Sequence, residues 1–248
     1  MSPFPAWAHD YIVFPFITGI ALIIAGISIS GLFKIEEDLT KKTCLYLGFY
    51  FLLLIIICHL PYNLDFSLNK TIHVGVWAPM LKELAYCGGA FVIAGSFEIT
   101  SIKDTHISEQ SLLEKLIPFG RVFFSTTMII YGYSHFLYTD YIKQMVPAWF
   151  GFPVFWTYFG GSALICAGIC IVLKIFLKPT AMLLAIMIFL WFIFLHIPDA
   201  VSNPYVGRGN EIVSAFDALL FSGVAIAIGL TTKARLTKMQ NSNFLIPG

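Results

Sequence analysis

The chain contains few charged residues. Only 12% of its 248 residues are Asp, Glu, Lys or Arg, about half of the roughly 25% typical of soluble domains. Its net charge is +1, which predicts no basic surface for nucleic acid. The five cysteines form no Cys-x-x-Cys motif and no Cys/His spacing typical of zinc sites. We therefore expect no nucleic-acid partner, no metal site and no thiol relay of the Cys-x-x-Cys kind.

The chain instead contains long apolar runs. Hydrophobic residues make up 58% of the sequence, and its mean hydropathy is +0.82. A run of about 20 apolar residues spans the core of a bilayer. Seven runs have roughly this length, at about 11–33, 43–60, 80–100, 118–138, 153–173, 179–197 and 211–231. Backbone groups in lipid must be hydrogen-bonded within their own segment. The sequence thus predicts an all-α, polytopic bundle of seven transmembrane helices in the lipid bilayer.

The distribution of Lys and Arg predicts the orientation of these helices, because cytoplasmic loops are enriched in both residues. Eleven lie after the odd-numbered runs, namely Lys34, Lys41, Lys42, Lys103, Lys115, Arg121, Lys174, Lys178, Lys233, Arg235 and Lys238. Four lie on the opposite side, namely Lys70, Lys82, Lys143 and Arg208. This bias predicts an N-terminus outside the membrane and a cytoplasmic C-terminus.

The sequence also predicts an internal repeat. "PAW" occurs at Pro5–Trp7 and at Pro147–Trp149, and "ALI" followed by Ala-Gly lies at the same distance behind each copy. Further along, "CHLPYNLD" aligns with "LHIPDAVS", and "ELAYCGGAFVIAG" aligns with "DALLFSGVAIAIG". Helices 1–3 therefore correspond to helices 5–7 in two parallel repeats, and helix 4 has no counterpart.

This repeat divides the chain into four predicted regions. They are a first repeat (1–100), a cytoplasmic linker (101–117), a four-helix unit (118–232) and a cytoplasmic tail (233–248). Small residues at Gly88, Gly89, Ser222 and Gly223 suit close helix packing in lipid.

Each predicted repeat places a histidine and a carboxylate on the outer side. His59 pairs with Glu83 in the first copy and His196 with Asp217 in the second, and His135 ends helix 4 at the same level. Ionisable residues inside spans are costly, so by default they mark a functional site or a buried pair. We take these five residues as catalytic candidates. A structural alternative is that each histidine only caps a helix end, where the helix dipole favours a cation.

Trp149 and Trp156 also lie on the predicted outer side. Interfacial tryptophans commonly anchor membrane helices. The alternative is that these two form an aromatic wall for a flat lipophilic cofactor, and we list them as candidate cofactor-binding residues.

The second half of the chain resembles a known family. "GYSHF", "MVPAWFGFPVFWTYFGGSALICAGICIVL" and "AMLLAIMIFLWFIFLHIPD" are similar to the DoxX-like four-helix membrane proteins, which include DoxD-like and MauE-type members. The resemblance covers about residues 117–232, and helices 1–3 match only through the repeat. It implies a bacterial inner (cytoplasmic) membrane protein linked to sulfur, thiol or quinone redox chemistry.

Three functions follow from these patterns. The first is a redox-associated membrane protein, an oxidoreductase subunit, with a pocket on the outer side for a quinone-like molecule. Its electrons would come from a membrane or periplasmic partner protein or from a bound cofactor, since the sequence shows no haem or flavin motif. The second is a non-catalytic assembly or interaction subunit of a membrane complex. The third is a small-molecule transporter.

Overall fold

All the secondary structure of the described residues is helical. The structure, a computed structural model, describes residues 13–65, 74–97, 112–205 and 209–243, and no strand occurs within these ranges. The chain forms two compact units, Met1–Gly120 and Arg121–Gly248. The all-α prediction is therefore confirmed for the described part of the chain.

The first unit is built from long helices joined by short ones. Its α-helices are α1 (Val13–Ile29), α2 (Glu37–Leu54), α3 (Leu60–Asn63) and α4 (Val74–Ala94). A π-helix, Ile55–His59, continues α2 directly into α3, and a 3₁₀-helix occupies Glu114–Phe119.

The second unit has the same kinds of element. Its α-helices are α5 (Gly120–Leu137), α6 (Thr139–Ile142), α7 (Pro153–Leu173), α8 (Leu177–Trp191), α9 (Ile197–Ser202) and α10 (Asn210–Asn243). A second π-helix, Phe192–His196, joins α8 to α9, and 3₁₀-helices occupy Lys143–Met145 and Ala148–Phe150.

Four helical segments of the described chain are long and apolar enough to cross a membrane. They are Glu37–Asn63, Pro153–Leu173, Leu177–Ser202 and Asn210–Thr231, and Phe16–Ile29 is a shorter apolar helix. Large apolar side chains are exposed along these helices, as expected where a helix faces lipid. These features are compatible with an integral membrane protein. Seven spans, the parallel repeat and the orientation of the termini stay predictions.

Parts of the predicted organisation lie outside the described residues. These are the first "PAW" copy at Pro5–Trp7, positions 101–111 of the linker and positions 244–248 of the tail. Within the described part, α10 continues to Asn243, beyond the predicted end of the last apolar run.

In the first unit, α2 packs mainly against α4. The fully buried Cys44 on α2 and Ala85, Cys87 and Phe91 on α4 belong to this core. An added Cβ at Gly48 would lie 2.8 Å from the Phe91 ring, so the core leaves no space there. These cysteines are free thiols that pack as small apolar side chains.

In the second unit, α8 packs mainly against α10, and α5 approaches α7 at two glycines. A Cβ added to Gly132 would lie 2.6 Å from the Gly161 carbonyl oxygen, and one added to Gly161 would lie 2.8 Å from that of Gly132. Only glycine permits this backbone contact. The expectation of close packing at Gly223 is wrong, because a Cβ there would meet nothing within 4 Å.

Candidate functional site

The first π-helix positions His59. Its widened turn is defined by the Leu60 amide, which donates to the carbonyl of Ile55, five residues back. Pro61 follows immediately, and in an α-helix a proline ring clashes with the carbonyl four residues earlier. A π-turn relieves such a conflict and places the next residues at a new angle, which is one reason π-turns often occur at functional sites. The sequence "HLP" thus explains why the helix widens at His59.

His59 and Glu83 form a buried histidine–carboxylate pair. The Nε2 atom of His59 lies 3.0 Å from Oε1 of Glu83, and their side chains are only 3% and 16% exposed. The contact is close but not aligned as a hydrogen bond. The other carboxylate oxygen, Oε2 of Glu83, is buried and accepts no hydrogen bond from the described part of the chain. The structure therefore brings together the first predicted histidine–carboxylate pair.

Asn63 extends this site and was missed by the sequence analysis. It lies four residues after His59, hence on the same helix face, and it is only 4% exposed. Its Nδ2 and Oδ1 atoms are both buried, and neither has a hydrogen-bond partner among the described residues. The signal that could have found it is an asparagine one turn beyond a span-ending histidine. We name His59, Asn63 and Glu83 the first-unit polar cluster.

The second π-helix has the same local chemistry. The Ile197 amide donates to the carbonyl of Phe192, again five residues back, and Pro198 follows His196 at the same distance as Pro61 follows His59. His196 is half-buried, and Asp217 on α10 is buried. The π-helix packs against α10, so the elements that carry His196 and Asp217 are neighbours.

His135 is held by its own helix and by Trp191. Its Nδ1 atom lies 2.8 Å from the Tyr131 carbonyl oxygen, one turn earlier on α5. Its ring stacks on Trp191 at 6.1 Å between centroids, with 29° between the planes. Gly160 makes room for Trp191, since a Cβ there would lie 2.8 Å from the indole. Trp191 was also missed, because a tryptophan within an apolar run gives no signal of its partner.

The two candidate cofactor-binding tryptophans belong to one aromatic cluster. Phe150 links them, with ring centroids 5.0 Å from Trp149 and 4.8 Å from Trp156. Trp149 also contacts Phe194 of the second π-helix at 6.0 Å. Trp149 remains 70% exposed, which suits a membrane anchor as well as a ligand wall.

The described part of the chain contains no group of three or more His, Cys, Asp or Glu residues placed to hold a metal ion. Its chemically distinctive arrangement is a histidine–carboxylate pair with an adjacent amide. Such a pair can hold the imidazole in one tautomer and stabilise its protonated form. The amide adds hydrogen-bonding groups that no neighbouring side chain in the described part of the chain uses.

Comparison with known proteins identifies no relative: no family model, no curated protein and no solved structure matches this chain.

Proposed function

We propose that this chain is a DoxX-like integral membrane protein, a redox-associated subunit that binds a quinone-like molecule beside His59 and Glu83. The observation that carries the proposal is the buried contact between these side chains, with Nε2 of His59 3.0 Å from Oε1 of Glu83 at the end of a π-helix. Ionisable groups at membrane depth are expensive, and they mark proton or ligand sites more often than simple structural positions. Four long apolar helices supply the membrane setting.

The pair suits the protonation that accompanies quinone reduction. A quinone that becomes a quinol takes up two electrons and two protons. Histidine titrates near neutral pH, and a carboxylate beside it stabilises the imidazolium that donates the proton. The electrons come from a membrane or periplasmic redox partner protein. The chain's own part is to bind the ring and to hold a proton at Nε2 of His59.

The second unit supports the same proposed function with a second candidate histidine–carboxylate pair. His196 and Asp217 lie on packed neighbouring elements, and the nearby Trp149–Phe150–Trp156 cluster offers flat apolar surfaces. Aromatic faces favour stacking with a planar ring. We propose that this cluster borders the lipophilic end of the ligand.

Binding of a short-chain ubiquinone and of a short-chain menaquinone to the full-length protein in nanodiscs tests the proposal. We expect saturable binding that Glu83→Gln weakens roughly tenfold, since a charge-assisted contact contributes about 1.5–3 kcal/mol. Asp140→Asn is the matched control, because it makes the same acid-to-amide change at a side chain that is 94% exposed. Absence of saturable binding, or equal weakening by both variants, would contradict the proposal.

Two other outcomes would favour the remaining functions. Co-purification of a fixed membrane partner, unchanged in a His59→Ala/His196→Ala double variant that binds no quinone, would indicate an assembly subunit. Flux of a small molecule into liposomes that depends on Asp217 would indicate transport.

We also propose a location in the bacterial inner membrane, with the N-terminus outside and the C-terminus in the cytoplasm. The support is the excess of Lys and Arg on the predicted inner side. A reporter that is active only in the cytoplasm, fused after Gly248, is expected to be active. A periplasm-specific reporter at the same place is expected to be silent, and the reverse pattern would overturn the orientation.

A further inference from the structure

The first-unit polar cluster has hydrogen-bonding capacity that the described protein groups leave unused. Asn63 is more than nine-tenths buried, and its amide nitrogen and oxygen both lack partners there, as does Oε2 of Glu83. Short helix α3, which ends at Asn63, packs against α4, which carries Glu83. Buried polar groups are nearly always hydrogen-bonded. Polar atoms without hydrogen-bond partners among the described residues, on the adjoining helices α3 and α4, therefore point to a ligand that supplies the missing hydrogen bonds.

The atoms without partners define which hydrogen-bond donors and acceptors that ligand must have. Nδ2 of Asn63 can only donate, whereas Oδ1 of Asn63 can only accept. Oε2 of Glu83, when ionised, also only accepts. A ligand carbonyl group can accept a hydrogen bond from Nδ2 of Asn63, but it cannot donate one to Oδ1 of Asn63 or to Oε2 of Glu83. A hydroxyl group can accept from Nδ2 and donate to a carboxylate at the same time.

We propose that the first-unit polar cluster selects a ligand with an aromatic hydroxyl group, so that the reduced, quinol form binds more tightly than the oxidised quinone. The ligand hydroxyl donates to Oε2 of Glu83 and accepts from Nδ2 of Asn63. Nε2 of His59 faces the other carboxylate oxygen, Oε1, at 3.0 Å, which leaves Oε2 for the ligand. This inference rests on the proposed function and adds which redox form the site holds.

The second unit has no amide side chain at the position that matches Asn63. The residue four positions after His196 is Ala200. The nearest acid on that segment, Asp199, accepts a hydrogen bond from Asn203 at 2.7 Å. Selection of a hydroxyl group by this mechanism is therefore a property of the first unit alone.

The test uses three soluble probes that share one ring: trimethylhydroquinone, its dimethyl ether and trimethylbenzoquinone. Binding to the full-length protein in nanodiscs is measured without oxygen. We expect the hydroquinone to bind at least roughly tenfold tighter than either other probe, because a hydrogen bond to a carboxylate contributes about 1.5–3 kcal/mol. This comparison needs no variant, so it does not depend on how a substitution folds.

Asn63→Leu then tests the role of the amide. We expect all three probes to lose affinity by a similar factor, roughly threefold or more, because each accepts a hydrogen bond from Nδ2, while the preference for the hydroquinone, which depends on donation to Glu83, remains. Helical content is expected to stay unchanged by circular dichroism. Asn203→Leu, at an exposed asparagine, is expected to keep the full affinity for each probe.

The outcomes separate the two proposals. Equal binding of the three probes, tighter binding of the quinone, or an unchanged affinity for all three probes in Asn63→Leu overturns this inference and leaves the proposed function standing. Failure of every quinone-type probe to bind, the longer-chain quinones included, overturns the proposed function together with it.

Discussion

The histidines of the two units are held by different physical means. In the first unit, His59 is almost fully buried and faces a carboxylate, with an unused amide one turn away. In the second unit, His135 is held by a carbonyl of its own helix and by the face of Trp191, and His196 is half-buried. The two π-helices share length, position before a proline and a terminal histidine. The first unit therefore contains an ionic site at His59, and the second unit contains a packed aromatic site at His135.

The difference indicates that the two sites have different roles. A buried ion pair costs desolvation energy and is weak evidence for stability alone, so its presence favours a role in binding or proton transfer. Aromatic stacking and glycine contacts fix a ring without charge. We expect substitutions at the ionic site to affect ligand and proton chemistry, and substitutions at the packed site to affect folding.

The largest expected effect comes from breaking the ion pair. Glu83→Ala leaves the His59 imidazole buried beside no carboxylate, and we expect a loss of about 3 kcal/mol in the free energy of unfolding. Glu83→Gln, which keeps the shape and a hydrogen-bonding oxygen, is expected to lose less than half of that. Reversible unfolding by SDS in mixed micelles measures both. Equal losses for the two variants would show that shape, not charge, holds His59.

The packed site in the second unit is tested by Gly161→Ala. The new Cβ would lie 2.7 Å from Cβ of His135 and 2.8 Å from the Gly132 carbonyl oxygen, so we expect a loss of about 2 kcal/mol. Gly223→Ala makes the same change where nothing lies within 4 Å. It is expected to stabilise α10 by about 0.5–1 kcal/mol through helix propensity. The same unfolding assay gives both values, and a loss at Gly223 would contradict the packing described.

Asn63→Leu is expected to stabilise the protein in the absence of ligand, by about 1 kcal/mol. The substitution replaces a buried amide that has no hydrogen-bond partner among the described residues with an apolar side chain of similar size. Gains of this kind are typical where a residue is kept for function at the expense of stability. Asn203→Leu, which removes the bond to Asp199, should change stability little or reduce it. Destabilisation by Asn63→Leu in ligand-free protein would mean that the amide has a structural partner.

The smallest effect is expected at the exposed ion pair between Lys143 and Asp140, 2.6 Å apart. The hydrogen bond from Lys143 lowers the pKa of the Asp140 carboxyl, so the pair contributes above about pH 4 and its contribution disappears as the pH falls through that lowered pKa. Exposed pairs contribute little. Lys143→Gln should leave the unfolding midpoint unchanged at pH 7, in contrast to Glu83→Ala. A midpoint shift as large as that of Glu83→Ala would remove the distinction between buried and exposed pairs.

The helical class could be predicted from sequence because it depends on local composition. The apolar run at about 43–60 falls within Glu37–Asn63, and that at about 179–197 within Leu177–Ser202. The pairing of His59 with Glu83 followed from two polar residues in apolar surroundings, a costly and therefore informative pattern. Hydropathy does not distinguish an α-turn from a π-turn, so the widened turns at the two prolines were not predicted.

Contacts that depend on tertiary packing could not be predicted from the sequence either. Trp191 and Gly160 are apolar residues in apolar runs, and only the crossing of α5, α7 and α8 brings them to His135. Burial of Asn63 likewise depends on how α3 docks on α4. Polar residues within apolar segments can be recognised from sequence, whereas the partners that surround them are set by helix crossings.

The ends of α7 have a consequence for the lipid around the protein. Phe152 before the helix and Lys174 after it both have left-handed backbone conformations, with φ of 46° and 59°. Neither can join the helix without a large change in φ, so α7 is limited to Pro153–Leu173, about 31 Å at 1.5 Å per residue. This length matches a hydrocarbon core of about 30 Å. In a thinner bilayer α7 must tilt, and in a thicker one the membrane must compress around it. The length of α7 therefore suits one bilayer thickness better than others.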